Sequence, residues 1–289
     1  MESQLLYAEN ISRFAHLCDR RVWGRVLDQT GSFLPGCAGL GCVDQSGKPC
    51  GLVLISQEEN GHTYKVEALC YHRKVFPQVG EALLRGLREY AALHGAEKLV
   101  YSYTVSMDTP DVDASVLRRC GWSEGKRLGA LYRVINVEQL LASVEKLADG
   151  SGNVVSFFDV PPEMRARFSR RFGVDVDARL DYDKVWAPDP EKSLACVEGD
   201  ELVGYVICTT SHGQLEVQTA YIDRSRILLL GTMLKKLASL CRSGQNDLKQ
   251  IDIYTHTDFG DQITRKLLGQ QPCQQTCFMY SEFELTRRD

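Results

Sequence analysis

Apolar and polar positions alternate with a period of two in three closely spaced runs, CAGLGCVD, CGLVLISQ and TYKVEALCYH, separated by the turns QSGKP and ENGH. Successive side chains of a strand point to opposite faces, so this pattern predicts a three-stranded meander with one face buried. Upstream, Ile11, Phe14, Ala15, Cys18 and Val22 share a helical face. Downstream, the period changes in VFPQVGEALLRGL: Val79, Ala82, Leu83, Leu84 and Leu87 fall on one face, and Glu81, Arg85 and Arg88 fall away from it. That spacing predicts an amphipathic helix over about 79–93. A strand EKLVYSYTV, a short helix DVDASVLRRCG and a last strand LGALYRVIN follow.

The order then recurs. SLACVEG, LVGYVICTT and LEVQTAYID read as a second meander. The helix RILLLGTMLKKLASLC, the strand KQIDIYTH, the helix FGDQITRKLLGQ and the strand TCFMYSEFEL come after it. Three landmark pairs, Gly51 and Gly204, Gly80 and Gly231, Gly121 and Gly269, stand 153, 151 and 148 residues apart. An offset so steady across three elements indicates a duplicated domain. The repeat predicts one domain over 1–136 and another over 154–289, with a linker at 137–153 built of a short helix and the polar break DGSG.

A chain of 289 residues is long for one core and comfortable for two. The net charge of -4 and the lack of a long Lys/Arg run argue against nucleic acid as the main partner. No apolar stretch reaches membrane-spanning length, and MESQLLYAEN lacks the order of a signal peptide, so neither a membrane nor a secreted role is expected. The 11 cysteines form no C-x-x-C pair, and several lie inside apolar strand patterns. They read as reduced thiols packed as small hydrophobes in a cytoplasmic protein. Cys273 and Cys277 have no nearby histidine, and no metal is expected.

A meander followed by helix, strand, helix and strand, met twice, resembles the GNAT acyltransferase superfamily along nearly the whole chain. The resemblance implies an α/β (α+β) fold of two tandem GNAT-like domains, each a mixed, mostly antiparallel sheet flanked by helices. It also implies acetyl-CoA as cosubstrate, its pyrophosphate held by backbone N–H groups of a turn [RQ]-x-x-G-x-[GA] that opens the main helix. In the first repeat that turn is Val75-Phe76-Pro77-Gln78-Val79-Gly80, where the final glycine matches and Pro77 removes one N–H. In the second it is Arg226-Ile227-Leu228-Leu229-Leu230-Gly231, where the leading arginine and the final glycine match and Leu229 replaces the first glycine. Carried over residue by residue, the coenzyme-binding set is Leu69, Cys70, Tyr71, Gln78, Val79, Gly80 and Glu81, with Arg226, Leu230 and Gly231 in the second repeat. Gly121-Trp122 resembles the family's terminal Gly-Phe element.

The family's acidic tyrosine, four residues before that element, is replaced by Leu117 in one repeat and Arg265 in the other. Glu67 and Tyr103 are the substitute catalytic candidates of the first repeat, with Tyr64 and Tyr101 beside them; Glu216, Tyr254 and His256 are those of the second. His72 and Asp223 stand at equivalent places after a strand and are expected to shape the turn. The expected function is N-acyl transfer from acetyl-CoA to an amine on a small molecule or peptide, by a monomer or homodimer with one active and one degenerate half. The first repeat is the expected working half. A non-catalytic CoA- or partner-binding scaffold that keeps the fold is the alternative.

Overall fold

A computed structural model of the chain describes residues 3–72, 77–108, 111–174, 176, 187–243 and 248–285. The first repeat folds as β1 (Ser3–Leu5), α1 (Arg20–Val26), β2 (Cys37–Val43), β3 (Pro49–Gln57), β4 (Thr63–Tyr71), α2 (Pro77–Leu93), β5 (Lys98–Ser106), α3 (Val112–Arg119) and β6 (Lys126–Val134). The second comprises α4 (Val137–Glu145), β7 (Asn153–Ser156), α5 (Pro162–Phe172), β8 (Leu194–Glu198), β9 (Glu201–Ser211), β10 (Gln214–Ile222), α6 (Ile227–Ser243), β11 (Gln250–Thr255), α7 (Asp258–Leu268) and β12 (Gln274–Glu284). Both meanders and every main helix stand where the hydrophobic pattern places them. The early helical face is split: a 3-10 segment Ile11–Leu17 precedes α1, and Asp19 caps α1 by accepting from the N–H of Arg21.

Contacts gather the chain into two units, Met1–Leu128 with Phe278–Asp289, and Gly129–Cys277. These boundaries differ from the expected 1–136 and 154–289 because the last strand of each repeat serves the other repeat's unit. β6 pairs antiparallel with β11, from Ile251↔Val134 to Thr255↔Ala130. β12 neighbours β5, and its second half bonds unit 1 through Ser123 N to Glu282 O at 2.8 Å and Leu285 N to Glu97 O at 2.8 Å. Residues 137–153 are not a spacer either: α4, capped by Asn136, buries Val137, Leu140, Leu141 and Val144 within unit 2.

In unit 1 the strands run β1-β2-β3-β4-β5 and then the C-terminal part of β12. The predicted face of α2 is the core: Val79, Leu83, Leu84 and Leu87 are fully buried against Val53, Val66, Leu69 and Leu99. Each such leucine contributes about 1.5–3 kcal/mol through its removal from water. The other face of this sheet is covered by Phe14, Trp23 and Val26 packed on Leu52, Leu54 and Ala68. Unit 2 repeats the plan in the order β6-β11-β10-β9-β8-β7, with α6 over Val203 and Ile222 on one face and α5 over Tyr205 and Ile207 on the other.

One feature occurs at the same place in both units. The parallel pairing of β4 with β5 runs only from Thr63↔Lys98 to Val66↔Tyr101, although the strands continue to Tyr71 and Ser106. That of β10 with β11 runs only from Gln214↔Gln250 to Val217↔Ile253. A β-bulge sits at each parting point. Leu54 faces Ala68 while Ile55 faces Val66, which leaves Glu67 as the extra residue; Val217 and Thr219 likewise leave Gln218. A bulge adds twist and re-aims the strand, so the pair diverges beyond it.

The unit composition makes a direct prediction. A chain ending at Cys277 should lose amide-exchange protection along β5 and at Gly121–Ser123, while β10 and β11 keep theirs. Equal loss in both units would contradict the assignment of β12 to unit 1.

Candidate functional site

In unit 1 the parted ends of β4 and β5 bring the two expected catalytic residues to one opening, on opposite faces of the sheet. Glu67, the bulge residue, has a side chain 9% exposed, with Lys65 Nζ at 3.1 Å and Arg25 at 3.8 Å. Ser56 Oγ donates to its Oε1 at 2.8 Å. Tyr103 lies on the α2 face, buried and stacked on Tyr101 with ring centroids 5.1 Å apart. Its hydroxyl is buried without a hydrogen-bond partner among the described residues. An unpaired buried hydroxyl costs about 1–3 kcal/mol; this one lies close to Gly125, where an added Cβ would stand 2.7 Å from it. Burial pushes its pKa up to about 12, with Asp111 and Asp113 adding to the effect, so at neutral pH it is a proton donor.

The expected coenzyme-binding residues are arranged less simply. Leu69 packs into the α2 core, whereas Cys70 turns to the α1 side. Tyr71 Oη donates to Asp113 Oδ1 at 3.0 Å. Its ring covers Gly80: a Cβ there would stand 2.7 Å from it. Gln78 is exposed, and Val79 is buried under Gly51. Glu81 accepts from Arg119 Nε at 2.6 Å. Val75 and Phe76 lie outside the described residues, and so does the side chain of Pro77. Tyr64 is a core residue, and Leu117, at the position of the family's tyrosine, is buried with it.

In unit 2 the matching turn is filled by the chain itself. A Cβ at Gly231 would stand 2.3 Å from the carbonyl oxygen of Ala148. Thr232 Oγ1 accepts from Gly150 N at 3.0 Å, and Lys235 pairs with Asp149 at 2.8 Å. Leu229 is buried against Gly150 and Gly152. Leu230 is buried, and Arg226 is paired with Glu198 at 2.9 Å. Asp223 caps its turn by accepting from Ser225 N at 3.0 Å, the role read for it from the sequence. Glycine is needed at 231 for close backbone approach, but the backbone that approaches is the protein's own.

The polar side of the β10–β11 opening carries a carboxylate pair. Glu216 and Asp252 are direct cross-strand partners, and Gln214 Nε2 bridges them at 2.9 and 3.0 Å. Asp252 is 1% exposed and receives Arg133 at 2.9 Å and Gln250 at 2.9 Å. Gln218, the bulge residue, donates to Glu216 at 2.6 Å. Burial raises the pKa of Glu216, and the charge of Asp252 adds to it. Tyr254 titrates high, first through burial and then through these two carboxylates. His256 is exposed. On the other side, Tyr132 Oη donates to Asp261 at 2.5 Å and accepts from Arg265 at 3.0 Å and Gln275 at 2.9 Å. Arg265, where the family has its tyrosine, thus serves a buried network.

Sequence reasoning missed Asp252, Asp113, Asp261 and Tyr132, which acquire meaning only through strand register. Their signal was the repeat itself: Asp113 and Asp261 share the offset of Gly121 and Gly269. Among the described residues, no group of His, Cys, Asp or Glu is arranged to hold a metal ion, and no helix is long and apolar enough to cross a membrane.

No protein-family model matches the chain, and no curated protein is similar to it in sequence. Solved structures do match. A tandem GNAT protein from the clavulanic acid biosynthesis pathway aligns over 100% of this chain and 99% of its own, at a TM-score of 0.56 and 16% identity. A GCN5-related N-acetyltransferase from Sphaerobacter thermophilus aligns over 98% and 95%, at a TM-score of 0.54 and 12% identity. A GCN5-related glucosamine N-acetyltransferase region of a fungal multi-domain β-N-acetylglucosaminidase aligns over 97% of this chain and 38% of that one, at 0.57 and 12%. The chain has the tandem GNAT fold.

The raised pKa of Glu216 has a checkable sign. The folded state holds that proton more tightly than the unfolded one, so the group's contribution is full below the ordinary glutamate pKa and is lost as pH rises through the raised value. Glu216→Gln should therefore match the parent in acid and exceed it in urea stability at neutral pH. A gap that is absent, or that widens toward acid, would contradict the placement of Glu216 against Asp252.

Proposed function

We propose that the protein is an N-acyltransferase whose working site is the β4–β5 opening of unit 1, with unit 2 as the degenerate half. The observation that carries this reading is the orphaned Tyr103 hydroxyl at the parted strands. Acetyl-CoA, the cosubstrate of the family this chain resembles, supplies when bound an acyl group activated as a thioester. The residues at the opening suit its reacting end. Tyr103 holds its proton at neutral pH and offers it from the α2 face. Glu67 presents a carboxylate from the opposite face, held in place by Ser56 and Lys65, where it can orient an amine and accept its proton. The acceptor is an amine of a small molecule or peptide. A cytoplasmic site of action and a monomeric or homodimeric state belong to the same proposal.

The helix-entry glycines do not add to this reading. Gly80 is covered by Tyr71 and Gly231 by Ala148. That observation favours a second reading, a scaffold that keeps the fold and binds a partner without chemistry.

Calorimetric titration with acetyl-CoA, joined to thiol-release assays over a panel of amines, separates the two. The first reading expects saturable binding and turnover, with Tyr103→Phe lowering kcat by roughly 10²–10⁴-fold, the usual range for losing a general acid, in a protein at least as stable as the parent because an unpaired buried hydroxyl is removed. Absence of heat and of release from the folded protein would leave the scaffold reading standing.

A further inference from the structure

Away from both strand openings, unit 1 has a cavity of about 310 Å³ between the middle of α2 and the end of α3. Arg85 and Arg88 reach it from α2 and Arg119 from α3, and Leu84 and Trp122 form an apolar wall. Among the described residues Glu81 is the one carboxylate lining it, and it is committed to Arg119 at 2.6 Å. Arg88 is held with its guanidinium 5.6 Å from the Phe283 ring centroid. No carboxylate among the described residues pairs with Arg85 or Arg88. All three guanidiniums line this one cavity with Cys120, whose thiol pKa is raised, first by burial.

Like charges gathered in a concave site repel one another, and the arrangement is relieved by a bound anion. Guanidinium forks match phosphate oxygens two at a time, and a cavity near 300 Å³ is at the small end of ligand sites. We infer that this α2–α3 cleft is a binding site for an organic diphosphate, with Arg85, Arg88 and Arg119 on the phosphate oxygens and Glu81 as a competitor for Arg119. The site uses the second and third turns of α2, not its entry turn. It does not rest on the acyltransferase reading: either can hold while the other fails.

Calorimetry with inorganic pyrophosphate, ADP and CoA in turn tests it. One saturable site per chain is expected for pyrophosphate. The double variant Arg85→Gln, Arg88→Gln should weaken it at least tenfold. Both side chains are exposed, so the unfolding midpoint should stay put. Glu81→Gln, which releases Arg119, should strengthen binding. A purely structural role for these residues would not produce that gain. Displacement of pyrophosphate by CoA would identify the coenzyme as the source of the diphosphate. Binding of ADP without such displacement would identify a free nucleotide. The inference is overturned if none of the three probes binds saturably, or if binding ignores both variants.

Discussion

The site in each unit depends on one pairing that stops early. Two parallel strands share their backbone hydrogen bonds over four register positions and then separate, because an extra residue, Glu67 or Gln218, has been inserted into the first strand of the pair. Past that residue the facing edges no longer satisfy each other, and unpaired backbone groups are favourable only where a partner can reach them. The opening, and in unit 1 the carboxylate at its lip, follow from that insertion.

The two openings have been finished differently. In unit 1 the α2 side is lined by tyrosines, of which Tyr71 is tied to Asp113 while the Tyr103 hydroxyl has no hydrogen-bond partner among the described residues. In unit 2 the groups at the opening are tied to one another: Glu216 and Asp252 share Gln214, Asp261 holds Tyr132, and the turn before α6 is packed by residues 148–152. A fully satisfied network is rigid and has little left to offer a ligand, whereas a half-satisfied one is open to chemistry. This contrast, more than the turn motifs, is what the proposed assignment of a working half rests on.

Much of the fold was legible in the sequence. Period-two alternation found both meanders, and the change to helical spacing at Val79, Leu83 and Leu87 found α2. The exchange of β6 and β12 was not legible, because a strand's pattern states that it needs a partner and not which one. LGALYRVIN and TCFMYSEFEL alternate alike, and either could complete either sheet. Tyr103 and Glu67 were identifiable as titratable residues on predicted strands. The burial that holds the proton of Tyr103, and the bulge that sets Glu67 apart, are properties of the assembled sheet. The arginine cleft was hidden for a related reason: Arg85 and Arg119 are 34 residues apart and meet only when α3 docks beside α2. The glycines at 80 and 231 were read as positions of a coenzyme-binding turn; in the structure the Tyr71 ring lies against one and the Ala148 carbonyl against the other.

A crystal structure of the protein grown with acetyl-CoA would test the central claim most directly. The account predicts the thioester end between β4 and β5, within hydrogen-bonding distance of Tyr103 Oη. Coenzyme seated instead between β10 and β11 of unit 2, or a Tyr103 hydroxyl still unpartnered beside bound coenzyme, would contradict it.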